Sequence, residues 1–321
     1  MSHSGARCEG RKGLGADKRG APVWRPRLSR RFAIAAIAAC ALIWGTTWYA
    51  ITLQLGPVDS VVSIVWRFGL AAVVLFGFCA ATRRPLGLTR PQHMAAIGQG
   101  AFVFAVSYGF VYAAEGQVAS AVVAVIFAAL AFVNLILFRV LAGQKAAPLA
   151  WMGAVFGVIG VSVLSYGQMA TNGAGLNPGL GVAFALTAVL ASALGNWFAW
   201  RSQQAGAPVL PATAWAMAYG AAMLALYGFA TGVTWRIEPT PAYLLSLLHL
   251  SLFGSVIAFG LYFTIARQRG YALASYISAL TPPIAMLVSV MFEGARFGWS
   301  ALIGLGLVLA GQVMLIRAPK T

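Results

Sequence analysis

Two segments of the sequence place aromatic and hydrogen-bonding side chains at helical spacing. In the first, Trp44, Thr47 and Trp48 stand at i, i+3 and i+4, so they share one face of a helix. The second segment sets an amide among aromatic rings, with Asn196, Trp197 and Trp200. Such faces suit the binding of a mostly apolar small molecule, although tryptophan near a helix end is also an ordinary anchor at a membrane surface.

Three tyrosines extend this pattern. Tyr108 and Tyr112 are spaced i, i+4, and Tyr262 lies in a later apolar run. Their hydroxyls could bind the polar part of the same molecule, with packing as the alternative interpretation. We predict that all three groups of residues line one binding site.

One charged residue, Arg67, lies about two turns inside an apolar run. A charge within a bilayer is costly, so this guanidinium needs a partner. It either binds a substrate carboxylate or gates the substrate's path, or it holds helices together by binding backbone carbonyls. The sequence leaves these interpretations open.

Few groups are available for proton coupling. None of the six acids lies near the centre of an apolar run; they are Glu9, Asp17, Asp59, Glu115, Glu238 and Glu293. This distribution argues against a proton relay of carboxylates in mid-membrane. Glu115 is the best coupling candidate, with a solvated acid at a helix end as the alternative, and Glu293 could pair with Arg296.

Pro282 and Pro283 are candidates for a gating role. They remove backbone hydrogen bonds inside an apolar run, which predicts a kink. Such a kink could line a cavity or act as a hinge, and packing alone would also explain it.

No catalytic, metal or cofactor site emerges from the sequence. His3, His93 and His249 are scattered, and the three cysteines lack metal-site spacing. The Gly-x4-Gly-Lys-Ser/Thr motif is absent, so ATP is not the expected energy source. We therefore predict a chain that is not an enzyme and carries no cofactor or metal.

Membrane helices must position these residues. The chain of 321 residues is 60% hydrophobic and 9% charged, whereas soluble domains carry about 25% charged residues. Apolar runs long enough to cross a bilayer recur after residue 32. They predict an all-α integral membrane fold with ten transmembrane helices, near residues 33–53, 61–81, 93–114, 118–140, 149–167, 179–201, 211–231, 243–266, 272–292 and 298–316.

The distribution of positive charge predicts the orientation. Nineteen of the 22 Lys and Arg lie on the side of the termini, leaving Arg236 and Arg296 opposite and Arg67 within a helix. Because Lys and Arg accumulate in cytoplasmic loops, both termini are expected in the cytoplasm. Residues 1–32 are expected to be a disordered basic tail. Topology, rather than nucleic acid binding, explains the formal charge of +16.

Glycine spacing indicates an internal repeat. Gly143 is followed by glycines at 153 and 160, and Gly294 by glycines at 304 and 311, which are the same two intervals. Three further matches in the same order relate helix n to helix n+5, so chance is the weaker explanation. Because five is odd, the second copy must cross the membrane in the opposite sense, an arrangement typical of secondary transporters. The predicted units are residues 33–167 and 179–317.

Four motifs together resemble the EamA branch of the drug/metabolite transporter superfamily. They are WGTTW, Trp66-Arg67-Phe68, Leu280-Thr281-Pro282 and the glycine pattern. The resemblance covers roughly residues 33–317 and implies ten helices, cytoplasmic termini, a central cavity and, in many members, export of amino acids, metabolites or drugs. The Gly-Glu pair often found in this family is replaced here by Gly143-Gln144 and Gly294-Ala295.

These observations predict a transporter of the bacterial inner membrane that exports small metabolites such as amino acids or drug-like compounds by alternating access. Its expected partners are a small-molecule substrate and the lipid bilayer, without nucleic acid, and it is expected to be a monomer or homodimer. A membrane-embedded lipid-modifying enzyme and a non-transporting scaffold or sensor are the alternatives.

Reporter fusions test the inverted arrangement. Fusions after Lys145 and after Arg296 are expected in opposite compartments, with Lys145 in the cytoplasm. A fluorescent protein that folds only in the cytoplasm and a phosphatase active only outside it report the two sides. Both positions on one side, or an odd number of crossings, would contradict the repeat.

Overall fold

Helices account for all regular secondary structure in the described part of the chain. The computed structural model describes residues 29–56, 58–169, 177–269 and 271–319. Residues 1–28 of the predicted basic tail lie outside this part, and the first helix begins at Arg30.

The described residues form ten helices, which coincide with the ten predicted segments to within three residues at each end. In chain order, α1 to α10 span Arg30–Thr52, Ser60–Ala81, Arg90–Glu115, Ser120–Ala142, Pro148–Met169, Pro178–Gln204, Val209–Thr231, Pro241–Gln268, Tyr271–Phe292 and Trp299–Arg317. A turn at residues 128 and 129 interrupts α4. Within the described ranges, nine helices are long and apolar enough to cross a membrane; the apolar stretch found in α9, Ile277–Phe292, is shorter.

Local sequence signals determine several helix ends. The Asp59 carboxylate accepts a hydrogen bond from the backbone N–H of Val61 at 2.8 Å and so begins α2. Thr89 and Gln92 form a capping box at the start of α3. Gly143 ends α4 with a φ of 64°, in the left-handed region that glycine adopts without steric cost.

Two helices contain π-helical segments, in which the backbone hydrogen bonds join residues five apart. In α3 the segment is Gly100–Ser107, and in α8 it is His249–Ile257. The first packs against α6 and α7, and the second against α1 and α2. Each therefore lies where one half of the chain meets the other, and such segments are frequent at functional sites.

Helices α5 and α10 touch backbone to backbone. A Cβ atom on Gly160 would lie 2.6 Å from the carbonyl oxygen of Gly304, and one on Gly153 would lie 2.5 Å from that of Gly311. Real Cβ atoms do not approach so closely, so the crossing requires glycine. In the glycine pattern, Gly153 corresponds to Gly304 and Gly160 to Gly311. When each glycine is replaced by its counterpart in the other half, the contact of Gly153 with Gly311 therefore becomes the contact of Gly304 with Gly160.

Other contacts between the halves pair in the same way. Helix α1 packs against α9 as α6 packs against α4, and α8 packs against α1 and α2 as α3 packs against α6 and α7. This packing leaves a space at the centre of the bundle.

A pair of substitutions in α10 tests the glycine crossing. Gly304→Ala is expected to destabilise the protein by about 1–3 kcal/mol, because the methyl group meets the backbone of α5. Gly306→Ala is the control, since a Cβ atom at this position would have nothing within 4 Å. Alanine also favours a helix over glycine by about 0.5–1 kcal/mol, so the control should unfold at an equal or higher temperature. Thermal unfolding of the detergent-purified variants measures both, and equal midpoints would contradict the close contact.

Candidate functional site

A cavity of about 110 Å³ lies at the centre of the bundle, several times the space that one water molecule needs. Helices α1, α2, α3, α4, α6, α8 and α9 contribute to its wall. Both halves of the chain therefore enclose it. Most of the wall is apolar and is formed by Ile51, Val103, Val111, Ala124, Phe127, Ala128, Leu130 and Phe259 together with the residues described below.

The structure brings together six of the nine residues predicted to bind substrate. These six are Trp44, Thr47, Trp48, Tyr108, Asn196 and Tyr262. Arg67, a predicted gating residue, lines the same cavity. Tyr112, Trp197 and Trp200 do not line it.

The three residues outside the wall pack against other groups, and Tyr112 also interacts with Arg67. The Tyr112 hydroxyl donates to Oε1 of Gln54 at 2.7 Å, one turn closer to the end of α3. The Trp200 ring packs on a phenylalanine of α4 with ring centroids 5.8 Å apart. The Trp197 ring lies 5.0 Å from the guanidinium carbon of Arg201.

Aromatic rings from three helices meet at the cavity. The ring centroid of Trp44 lies 5.2 Å from that of Phe259 and 5.5 Å from that of Tyr262. The ring centroids of Trp48 and Phe127 are 5.2 Å apart. These distances are typical of edge-on and tilted ring pairs, which pack favourably.

The π-helical segment of α8 brings its backbone against α1. Nε1 of Trp44 donates to the carbonyl oxygen of Gly254 at 3.1 Å. A Cβ atom on Gly254 would lie 2.8 Å from Cγ2 of Thr47, so a glycine is needed for this approach. Thr47 in turn donates its hydroxyl to the carbonyl of Trp44 at 2.9 Å. The cavity-facing turn of α1 is thus fixed against α8 by a hydrogen bond and by close packing.

Arg67 is only 1% exposed and has partners on two other helices. Its Nε donates to the hydroxyl of Ser255 at 3.2 Å, and Nη2 donates to the hydroxyl of Tyr108 at 3.4 Å. The guanidinium carbon also lies 4.5 Å from the ring centroid of Tyr108 and 5.1 Å from that of Phe68. Arg67 thus joins α2 to α3 and α8, through hydroxyls and rings rather than through the backbone carbonyls considered in the sequence analysis.

Three further polar residues line the wall and were not predicted from the sequence: Ser192, Ser278 and Thr281. Ser192 precedes Asn196 by one helical turn, a spacing that could have identified it. Ser278 and Thr281 are likewise one turn apart, directly before the proline pair. Pro282 and Pro283 themselves lie inside α9 but outside the cavity wall.

The acids at the ends of α3 and α9 differ in their surroundings: Glu115 is buried, whereas Glu293 is partly exposed. Glu115 is 6% exposed, and neither of its oxygens has a hydrogen-bond partner among the described residues. Glu293 accepts from the hydroxyl of Ser289, and no ion pair with Arg296 is found in this part of the chain. Glu115 interacts electrostatically with both Glu293 and Arg67. Glu115 is thus buried in the structure, and the pairing of Glu293 with Arg296 that the sequence allowed is not found among the described residues.

A second cavity, of about 720 Å³, lies at the end of the bundle opposite to Glu115 and Glu293. It is formed by the α2–α3 loop, the start of α7 and the end of α8, with Arg84 and Arg267 in its wall. None of the predicted site residues belongs to it. In the described ranges, no group of three or more His, Cys, Asp or Glu could hold a metal ion.

The chain is similar to known membrane transporters. The EamA-like transporter family matches it twice, over residues 31–166 and 179–317. A relative from Escherichia coli strain K12, named Uncharacterized inner membrane transporter YedA, is 28% identical over 282 residues, covering 87% of this chain and 89% of YedA. YedA of Escherichia coli O157:H7 matches with the same values.

The fold is also found in a solved structure. A protein crystal structure superposes with a TM-score of 0.66 at 21% identity, covering 89% of this chain and 96% of the other. At this identity the likeness shows the fold alone. The two family matches, however, include every residue of the central cavity. The chain therefore belongs to the EamA-like transporter family, within the drug/metabolite transporter superfamily.

Proposed function

We propose that this protein is a secondary transporter of the bacterial inner membrane that exports a small metabolite, such as an amino acid or a drug-like compound, by alternating access. The observation that carries the proposal is the central cavity, whose wall is shared by both halves of the chain. Rocking one half against the other would open such a cavity to either side in turn. The relative YedA is named as an inner membrane transporter, which supports a location in the inner membrane.

Ten membrane-spanning helices in two inverted units, residues 33–167 and 179–317, fit this mechanism. The reciprocal contacts of Gly153 with Gly311 and of Gly160 with Gly304 support a two-fold axis in the membrane plane. The π-helical segments in α3 and α8, the third helix of each unit, support the same relation. Ten crossings would place both termini together, and the distribution of Lys and Arg favours the cytoplasm.

The cavity wall suggests how a substrate is held. The rings of α1, α4 and α8 would contact its apolar part, and Thr47, Tyr108 and Asn196 would bind its polar atoms. Trp197 and Trp200 have a packing role in this proposal, because their rings contact other residues of α6 and α4.

A gate is proposed at the end of the cavity where α1 and α3 finish. The hydrogen bond from Tyr112 to Gln54 joins these two helices, and Glu115 lies one turn beyond Tyr112. Because neither oxygen of Glu115 has a fixed partner, this acid can change its contacts when the halves move. Pro282 and Pro283 interrupt the hydrogen bonds of α9, which allows the helix to bend.

The alternative functions are less well supported by this wall. A lipid-modifying enzyme needs acid, base or metal groups, and Arg67 is the one charged side chain in the described wall of the central cavity. A non-transporting scaffold has no need for a cavity that both halves enclose. One chain forms the entire wall, so either a monomer or a homodimer could transport.

Cysteine accessibility tests alternating access. In a chain whose Cys8, Cys40 and Cys79 are replaced by serine, Thr47→Cys and Asn196→Cys are expected to react with a membrane-impermeant thiol reagent, because both positions line the cavity. Ala185→Cys is the control, since this residue is fully buried away from the cavity and should stay unlabelled. Labelling is measured in right-side-out and inverted vesicles. A scaffold predicts no labelling from either side.

Matched tryptophan substitutions test substrate binding. Trp48→Ala is expected to lower transport about tenfold, because a cavity-facing ring contributes on the order of 1–2 kcal/mol to an apolar contact. Trp200→Ala removes the same side chain outside the cavity and should leave transport within about twofold of the parent, since no substrate contact is lost. The substrate is first identified by a resistance screen in an overexpressing strain, and its flux is then measured in proteoliposomes. Equal losses in the two variants would count against the cavity as the binding site.

A further inference from the structure

The guanidinium of Arg67 is buried but incompletely satisfied. Two of its nitrogens, Nε and Nη2, donate to hydroxyls, whereas Nη1 has no hydrogen-bond partner among the described residues. A buried charged donor without a partner costs more than a neutral one, because the water it has lost is not replaced. Since Arg67 lines the central cavity, the space beside it is where a partner can bind.

Among the described residues, no acid is hydrogen-bonded to Arg67. Glu115 interacts electrostatically with Arg67, yet its two oxygens and Nη1 of Arg67 all lack hydrogen bonds, so the two side chains are not joined. Within its described part, the cavity wall contains no Asp or Glu. The wall therefore carries one positive charge and no negative charge.

Tyr108 adds a second donor at the same place. Its hydroxyl oxygen accepts from Nη2 of Arg67, which leaves the hydroxyl hydrogen available to another acceptor. Ser255, by contrast, already donates to the carbonyl of Leu250 at 2.9 Å. An anion beside Arg67 could thus accept one hydrogen bond from Nη1 and one from Tyr108.

We propose that Arg67 and Tyr108 form an anion-binding subsite, and that the transported substrate is a small organic carboxylate whose apolar body lies against the rings of Trp44, Trp48 and Phe259. This inference rests on the proposed transport function and specifies its substrate class. A singly charged anion is favoured, because one arginine balances one charge and a second negative charge would stay unbalanced in an apolar interior.

A matched series of compounds tests the subsite without requiring transport. Phenylacetate, phenylacetamide and phenethylamine share one ring and differ in the charge of the attached group. Binding is measured as the rise in unfolding temperature of the purified full-length protein during titration with each compound. Phenylacetate is expected to bind about tenfold more tightly than phenylacetamide, the difference that one charge-assisted hydrogen bond supplies. Phenethylamine is expected to bind more weakly than both.

Two substitutions that each remove one positive charge test whether the preference for phenylacetate depends on Arg67. Arg67→Gln is expected to reduce the preference for phenylacetate over phenylacetamide to about twofold or less, because the charged donor is lost. Arg296→Gln removes the same charge from an exposed position and should preserve the preference. If Arg67→Gln does not accumulate, the compound series on the parent protein still decides the proposal.

The outcomes separate the subsite from the transport function. Equal binding of phenylacetate and phenylacetamide to the parent protein overturns the carboxylate proposal, even if proteoliposomes transport a neutral solute. A preference for phenylacetate that is unchanged in the Arg67→Gln variant also overturns the carboxylate proposal. A preference for phenylacetate that depends on Arg67 supports the subsite. If this preference is found but no carboxylate crosses the membrane of proteoliposomes, the proposed transport function is contradicted and the subsite is not.

Discussion

A single positive charge in an apolar interior constrains the centre of this protein. In the described part of the chain no carboxylate is hydrogen-bonded to Arg67, and its hydrogen bonds and ring contacts are made with neutral groups. Ser255 of α8 and Tyr108 of α3 supply the hydroxyls, and Phe68 supplies a ring face. The π-helical segment of α8 presents Ser255 to the guanidinium and places Gly254 against α1. The same local distortion of one helix therefore organises both the charge and the aromatic wall of the cavity.

The two halves meet through two kinds of contact with different physical character. Around the cavity they meet through side chains, including large rings that leave space between them. At the α5–α10 crossing they meet through backbone atoms, because glycines remove the side chains altogether. Lipid offers no hydrophobic drive for helix association, so close backbone packing of this kind is what holds such a crossing together.

The all-helical membrane fold was predictable because the bilayer sets the length of a membrane-spanning helix, and apolar runs of that length are visible in the sequence; among the described residues nine helices meet this length and apolarity. On α1 the i, i+3, i+4 rule correctly grouped Trp44, Thr47 and Trp48. On α6 the grouping with Asn196 was wrong for two residues. Trp197 is the next residue along the helix and is therefore rotated by about 100° from Asn196, and Trp200 lies one turn beyond the cavity. The partners of Arg67 could not be predicted, because Ser255 lies 188 residues away in sequence and only the packing of α8 against α2 brings it near.

The glycine crossing also limits how the molecule can change shape. Side chains can adopt new rotamers when packed helices slide, but two touching backbones have no such freedom. Gly153 and Gly160 lie about 10 Å apart along α5, by the rise of about 1.5 Å per residue, and both are engaged at once. Translation of α10 along α5 would bring the carbonyl oxygens of one helix into steric clash with the backbone of the other. If the halves move as proposed for alternating access, the movement would be confined to pivoting around the α5–α10 crossing, and the cavity side would move most.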